Sequence, residues 1–174
     1  NYILEIFPRD LVKNKKIVID LSNGATQQTT PFILKKLGAE IHPINSGSGA
    51  INEGVGSENP QIMSQKVREI KADFGIAHDG DGDRVIFCDS LGEVIPGDKI
   101  LGLLAIHEKK HNRLSQQGFV ATVHSNSGLD ASLKKRGINL FRTDVGDRKV
   151  AELMREKRLN LGGESSGHVV ASQY

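Results

Sequence analysis

The chain alternates between short apolar runs and longer mixed segments, which predict strands and helices respectively. The runs at 16–21 and 85–88 are bounded by turn-forming residues and rich in apolar side chains, which is typical of buried strands. We also expect strands at 39–44, 74–77, 119–123, 138–142, 159–161 and 168–171.

Several segments between these strands carry apolar residues at helical spacing. Ile33 and Leu37 would share one face of a helix, and Gly38 directly afterwards is a residue type that commonly ends one. The dipeptide Asn59-Pro60 predicts the start of another helix, with Asn59 as the capping residue. Further helices are expected at 99–110 and 145–157 and in the segment that ends at Gly137.

The order of these elements repeats in the second half of the chain. Ser22-Asn23-Gly24 is matched by Ser125-Asn126-Ser127-Gly128, and each half closes with a strand, an acidic Gly-rich loop and a strand. The fold class is therefore expected to be α/β, with two tandem repeats of a mixed α/β unit at 1–96 and 97–174. Because the sequence lacks an initiator Met and stops after a strand-like run, we expect it to be incomplete at both ends.

Composition narrows the possible partners. The 174 residues carry a formal net charge of only +2, and 5% are aromatic, so the sequence offers little to attract or stack nucleic acid. No apolar run approaches the roughly 20 residues that cross a bilayer, and we expect a cytoplasmic protein without membrane or nucleic-acid partners. The single cysteine, Cys88, lies in an apolar run and is expected to be buried rather than nucleophilic.

The sharpest chemical signal is the loop Asp79-Gly80-Asp81-Gly82-Asp83-Arg84. Three alternating carboxylates repel one another unless a cation lies among them, and an oxygen-only set suits Mg²⁺ or Ca²⁺. A solvated acidic turn is the simpler alternative. An EF-hand is excluded, because the sixth and twelfth loop positions are Arg84 and Ser90 instead of Gly and Glu. Arg84 either neutralises the acids or reaches a phosphate.

A second loop, 162–168, mixes Gly residues with polar side chains. Glu164, Ser166 and His168 alternate and could offer a carboxylate, a hydroxyl and an imidazole to a polyol, although a plain polar turn would look similar. A third loop, 143–148, precedes a helix. It either binds an anion at the helix N-terminus with help from Arg148, or contains capping aspartates.

Taken together, these loops resemble those of the α-D-phosphohexomutase family. The acidic loop resembles the family's metal-binding loop, and Gly163-Glu164-Ser165-Ser166-Gly167-His168 looks like its sugar-binding loop in the next domain. Ser22-Asn23-Gly24-Ala25 and Gly56-Ser57 are similar to further landmarks. Within the family, 125–129 and 145–148 look most like the branch that interconverts glucosamine 6-phosphate and glucosamine 1-phosphate.

The resemblance implies a four-domain enzyme that works through a phosphoserine and a bisphosphorylated intermediate, with this chain as domains two and three. It implies Mg²⁺ held by Asp79, Asp81 and Asp83, and Arg84 near the phosphoserine. For the second loop it implies sugar contacts from Glu164, Ser166 and His168.

The expected partners are a sugar phosphate and domains one and four of the same protein. The family's Ser-His-Asn-Pro-type segment is absent here, so no catalytic nucleophile is expected in this chain and the chain alone should be inactive. Two alternatives remain open. One is a haloacid-dehalogenase-like phosphatase with Asp79 as nucleophile, and the other is a non-catalytic module that binds a sugar phosphate or a metal.

Overall fold

A computed structural model, which describes residues 2–172, shows two compact units that divide between Ile95 and Pro96. The first contains α1 (Tyr2–Ile6), β1 (Lys16–Asp20), α2 (Thr29–Lys36), β2 (Glu40–Ile44), α3 (Gln61–Ile70), β3 (Phe74–His78), β4 (Val85–Cys88) and β5 (Val94–Ile95). The second contains α4 (Gly97–Lys110), β6 (Gly118–Thr122), α5 (Ser127–Lys134), β7 (Asn139–Thr143), α6 (Asp147–Lys157), β8 (Leu161–Gly163) and β9 (Val169–Ala171).

The first four strands of the five-stranded sheet have the same topology as the four-stranded second sheet, which confirms the predicted pair of α/β units. In the first unit, β1 pairs in parallel with β2 and β3, and β4 runs antiparallel beside β3. In the second unit, β6 pairs in parallel with β7 and β8, and β9 runs antiparallel beside β8. The acidic loop and the 162–168 loop therefore occupy the same place, at the turn into the antiparallel strand.

In each sheet, the strand that has parallel neighbours on both sides is buried on both faces. In β1, Ile17 and Ile19 pack in one apolar cluster, whereas Val18 packs with Met63 and Val67 of α3 on the opposite face. In β6, Phe119 and Ala121 join the cluster that includes Leu101 and Leu133, and Val120 joins Val150 and Met154. Each fully buried aliphatic side chain contributes about 1.5–3 kcal/mol, so these alternating strands anchor the loops at their ends.

Several local predictions differ from the structure, among them the start of α4, which lies at Gly97 instead of residue 99. The last parallel strand comprises Leu161–Gly163 instead of 159–161, and Gly162 within it lies too close to Met154, Val150 and the Val120 carbonyl to carry a side chain. Helix α3 follows Pro60, which occupies the N-cap position without a side-chain cap, so Asn59 does not cap it. Helix α6 begins at Asp147, two residues after the expected start. In the described part of the chain, no helix has the length and apolarity needed to cross a membrane.

Buried Asp20 connects three loops of the first unit. Its carboxylate lies at the end of β1, is 0% exposed, and accepts hydrogen bonds from the Ser22 N–H at 3.0 Å and the Gly56 N–H at 3.1 Å. The side-chain amide of Asn45 donates to the same carboxylate at 2.9 Å. The segments after β1 and β2 and the turn before α3 are thus fixed by one acceptor group.

Asp20→Asn should lower the free energy of unfolding by about 2 kcal/mol, because the amide NH₂ would face donors in place of an acceptor. Urea denaturation of wild type and variant measures this difference. Asp10→Asn makes the same chemical change at an exposed position and should alter stability by less than about 0.5 kcal/mol. Equal stability of the Asp20 and Asp10 variants would contradict the assigned role.

Cys88 should react slowly with alkylating reagents. The thiol is buried, its sulfur packs at Gly75, and burial raises its pKa from 9.0 to about 11. At pH 8 this shift reduces the thiolate fraction by roughly 100-fold. Iodoacetamide labelling followed by mass spectrometry should therefore be at least that much slower in the native chain than in urea. Similar native and unfolded rates would show that the thiol is accessible.

Candidate functional site

The turn between β3 and β4 brings three carboxylates together. Asp79, Asp81 and Asp83 each offer a carboxylate oxygen, and these oxygens all lie within 4.8 Å of one another. Asp79 is fully buried and the other two are exposed. No other group of three or more potential metal-ligating side chains occurs among the described residues. An oxygen-only set that is open to solvent on one side fits the ligand preference of Mg²⁺.

Asp79 is held in place by its own loop. One oxygen, Oδ1, accepts from the Gly82 N–H at 3.1 Å and the Arg84 N–H at 3.0 Å, and Oδ2 accepts from Nε of Arg84 at 2.9 Å. Burial alone would raise the pKa of Asp79, but the hydrogen bonds from Arg84 outweigh it and the pKa lies below its ordinary value. Asp79 therefore stays ionised although it is buried.

Arg84 lies among several acids of this unit. Besides its bond to Asp79, its Nη1 lies 3.3 Å from Glu58 Oε1 and its Nε lies 3.8 Å from Asp83 Oδ1. The hydrogen bond to Asp79 raises the pKa of Arg84, so it is a permanent cation. Its side chain remains 34% exposed. Of the two roles considered from the sequence, neutralising the acids is visible here, and the exposed part leaves room for contact with an anion.

Neighbouring backbone fixes the path of the acidic loop. The Gly80 carbonyl accepts from the Ala25 N–H at 2.8 Å, and Gly24 lies so close to that carbonyl that a Cβ could not be accommodated. On its other side, Gly80 abuts Ile51 and Asn52 of the polar loop before α3. The loop is therefore clamped between two segments that lie far from it in sequence.

The second candidate loop is a tight turn between β8 and β9. The Glu164 N–H donates to the His168 carbonyl at 2.8 Å, and the Gly167 N–H donates to the Glu164 carbonyl at 3.0 Å. Gly167 has φ 99°, which disfavours any other residue there. Ser166 is exposed, whereas Glu164 and His168 are partly exposed. The turn thus carries all three polar side chains singled out in the sequence, in a fixed backbone.

Two backbone contacts from elsewhere in the second unit hold this turn. Gly97 packs against the Ser165 carbonyl with no space for a Cβ, and the Gly146 N–H donates to Oε1 of Glu164 at 2.9 Å. Gly146 is also the N-cap residue of α6, which has no side-chain cap. The capping interpretation of Asp144 and Asp147 is therefore wrong.

Sequence reasoning missed the parts played by Asp20, Glu58 and Gly146. A buried aspartate at a strand end and a glycine directly before a helix are weak signals by themselves. Glu58 is separated by 26 residues from the arginine that it contacts, so local spacing could not reveal it.

Comparison with known proteins places the whole chain in one family. The model for phosphoglucomutase/phosphomannomutase α/β/α domain II matches residues 2–92, and the model for domain III matches residues 96–174. The phosphoglucosamine mutase of Bartonella bacilliformis is 45% identical over 99% of the chain, and that of Bradyrhizobium diazoefficiens is 48% identical over 96%. The chain spans 39% and 38% of these two relatives.

Solved structures agree with this assignment. A phosphoglucomutase/phosphomannomutase family protein from Burkholderia thailandensis superposes with a TM-score of 0.84 at 26% identity, covering 95% of this chain and 37% of its own. The fold is also shared with Aspergillus fumigatus N-acetylphosphoglucosamine mutase, determined in complex with GlcNAc-6P and magnesium, at a TM-score of 0.69 and 21% identity over 91% of this chain and 36% of its own. The chain therefore belongs to the phosphoglucomutase/phosphomannomutase family.

Proposed function

We propose that this chain is the metal- and sugar-binding part of a phosphosugar mutase that interconverts glucosamine 6-phosphate and glucosamine 1-phosphate. The observation that carries the proposal is the convergence of three carboxylates in the β3–β4 turn of a chain whose relatives are phosphoglucosamine mutases. The first unit would supply the metal loop and the second unit the sugar loop, corresponding to the second and third domains of the family.

In this proposal, Mg²⁺ is held by Asp79, Asp81 and Asp83. A bound divalent cation supplies charge stabilisation to phosphoryl oxygens during transfer. Arg84 contributes a second positive charge beside the loop, and its hydrogen bonds keep Asp79 ionised and correctly oriented. Its exposed part is available to a phosphate group that another domain delivers.

Glu164, Ser166 and His168 are proposed to bind the sugar. Their rigid turn presents a carboxylate acceptor, a hydroxyl and an imidazole, which together match the donors and acceptors of sugar hydroxyls. Ser165 and Ser166 are not proposed as nucleophiles, because both belong to this binding turn. The transferred phosphate would be carried by a serine in a domain outside these 174 residues.

The burial of Asp79 argues against the phosphatase alternative. A nucleophilic carboxylate must be approached in line by a phosphorus atom, whereas Asp79 is 0% exposed and both of its oxygens already accept hydrogen bonds from the loop. A metal ligand needs only one remaining lone pair directed toward the neighbouring carboxylates. A non-catalytic module that binds a metal or a sugar phosphate remains the second candidate. It differs from the first in one respect, which is that no phosphate transfer follows binding even when the remaining domains are supplied.

Adding Mg²⁺ should raise the melting temperature of the chain by about 3 °C at ten times the dissociation constant, since binding to the folded state then contributes about 1.4 kcal/mol. Differential scanning fluorimetry measures the shift. Asp81→Asn and Asp83→Asn should each reduce it, because each removes one anionic ligand, whereas the exposed helical variant Asp130→Asn should retain it. A melting temperature that Mg²⁺ leaves unchanged in wild type would contradict the metal site.

Turnover distinguishes a mutase part from a binding module. The 174-residue chain alone should not convert glucosamine 6-phosphate, whereas a chimera in which it replaces the matching segment of the Bartonella bacilliformis relative should do so. In that chimera, Glu164→Ala should raise KM by roughly tenfold through loss of a charged hydrogen bond. A folded chimera without activity, or turnover by the chain alone, would count against the proposal.

A further inference from the structure

We propose that Gly146 is a positioning residue for Glu164, and that its backbone N–H fixes one carboxylate oxygen so that the other faces a sugar hydroxyl. The inference rests on the proposed sugar-binding role of the β8–β9 turn. It assigns to the loop between β7 and α6 a part in sugar recognition that acts through the backbone instead of a side chain.

The contact joins two strand ends that are not adjacent in the sheet. Gly146 follows β7 and Glu164 follows β8, and β6 lies between these two parallel strands. Neighbouring strands are about 4.8 Å apart, so the two loops start roughly 10 Å from each other. The loops approach each other beyond the strand ends, and the Glu164 side chain places Oε1 at 2.9 Å from the Gly146 nitrogen.

The direction of the Gly146 N–H depends on a backbone conformation that L-residues rarely adopt. Gly146 has φ 130° and ψ 131°, directly before the first residue of α6. The nearest atom to a Cβ built at this position is Lys149 Cγ at 3.9 Å, so a methyl group fits sterically. Alanine would therefore be excluded by backbone strain and not by packing, and the backbone would relax and turn the N–H away.

The hydrogen bond from Gly146 occupies only one of the two carboxylate oxygens of Glu164. Among the described residues, the donor to the Glu164 side chain is the Gly146 N–H, and it bonds to Oε1. A carboxylate has about four acceptor positions, so Oε2 can accept a hydroxyl proton from a ligand without losing the Gly146 contact. The carboxylate also lies beside the N-terminal end of α6, where the helix dipole favours negative charge. One loop thus sets the orientation of the acceptor.

The experiment is an NMR titration of the ¹⁵N-labelled 174-residue chain with glucosamine 6-phosphate, combined with a double-mutant cycle on Gly146→Ala and Glu164→Ala. We expect each single variant to weaken binding by roughly tenfold, and the double variant to bind no more weakly than Glu164→Ala alone. The Gly146 amide proton should also shift upfield in Glu164→Ala, since it loses its acceptor.

Gly54→Ala is the matched control. Gly54 also has a positive φ, of 66°, and open space around its Cβ position, so the substitution imposes backbone strain there too, although milder, in the other unit. Its binding should stay within about twofold of wild type, and its thermal destabilisation should not exceed that of Gly146→Ala.

The outcomes distinguish failure of the proposed sugar-binding role of the turn from failure of the positioning role of Gly146. If wild type fails to bind, or Glu164→Ala binds as tightly as wild type, the proposed sugar-binding role of the turn is wrong and the inference falls with it. If Glu164→Ala weakens binding but Gly146→Ala does not, only the positioning role of Gly146 is overturned. The same holds if the two effects multiply in the double variant.

Discussion

Repulsion among three closely spaced carboxylates is the constraint on which the first unit of this protein depends. At separations below 4.8 Å, charges of the same sign favour opening the loop unless positive charge offsets them. Arg84 provides part of that charge and the backbone clamp at Gly24 and Gly80 prevents the loop from opening. The turn is therefore held in a conformation that a divalent cation would stabilise further.

The second unit has the same order of strands around its turn, but the turn carries different side chains. Its equivalent turn has one carboxylate, and it is ordered by hydrogen bonds within the turn and by close approach to Gly97. Here glycine matters because the backbones of separate segments come into direct contact, as Gly97 does with the Ser165 carbonyl. Both turns follow parallel strands that are held by backbone pairing and by apolar burial.

Much of this organisation could be predicted from the sequence because it is encoded locally. The β1 run is apolar at successive positions, the acidic loop follows its strand directly, and the order of elements repeats, so strands, loops and duplication were all predictable. The start of α6 and the bounds of β8 were not, since Gly146 and Gly162 depend on neighbours distant in sequence. The Glu58–Arg84 and Gly146–Glu164 contacts escaped prediction for the same reason: nothing near either residue in the chain specifies its partner.

The shared position of the two turns has a consequence for how such a protein can change. Each turn joins two strands whose side chains pack in core clusters of their own unit. A chain with two such units can carry an ion-binding turn in one unit while the equivalent turn of the other unit changes to bind different ligands.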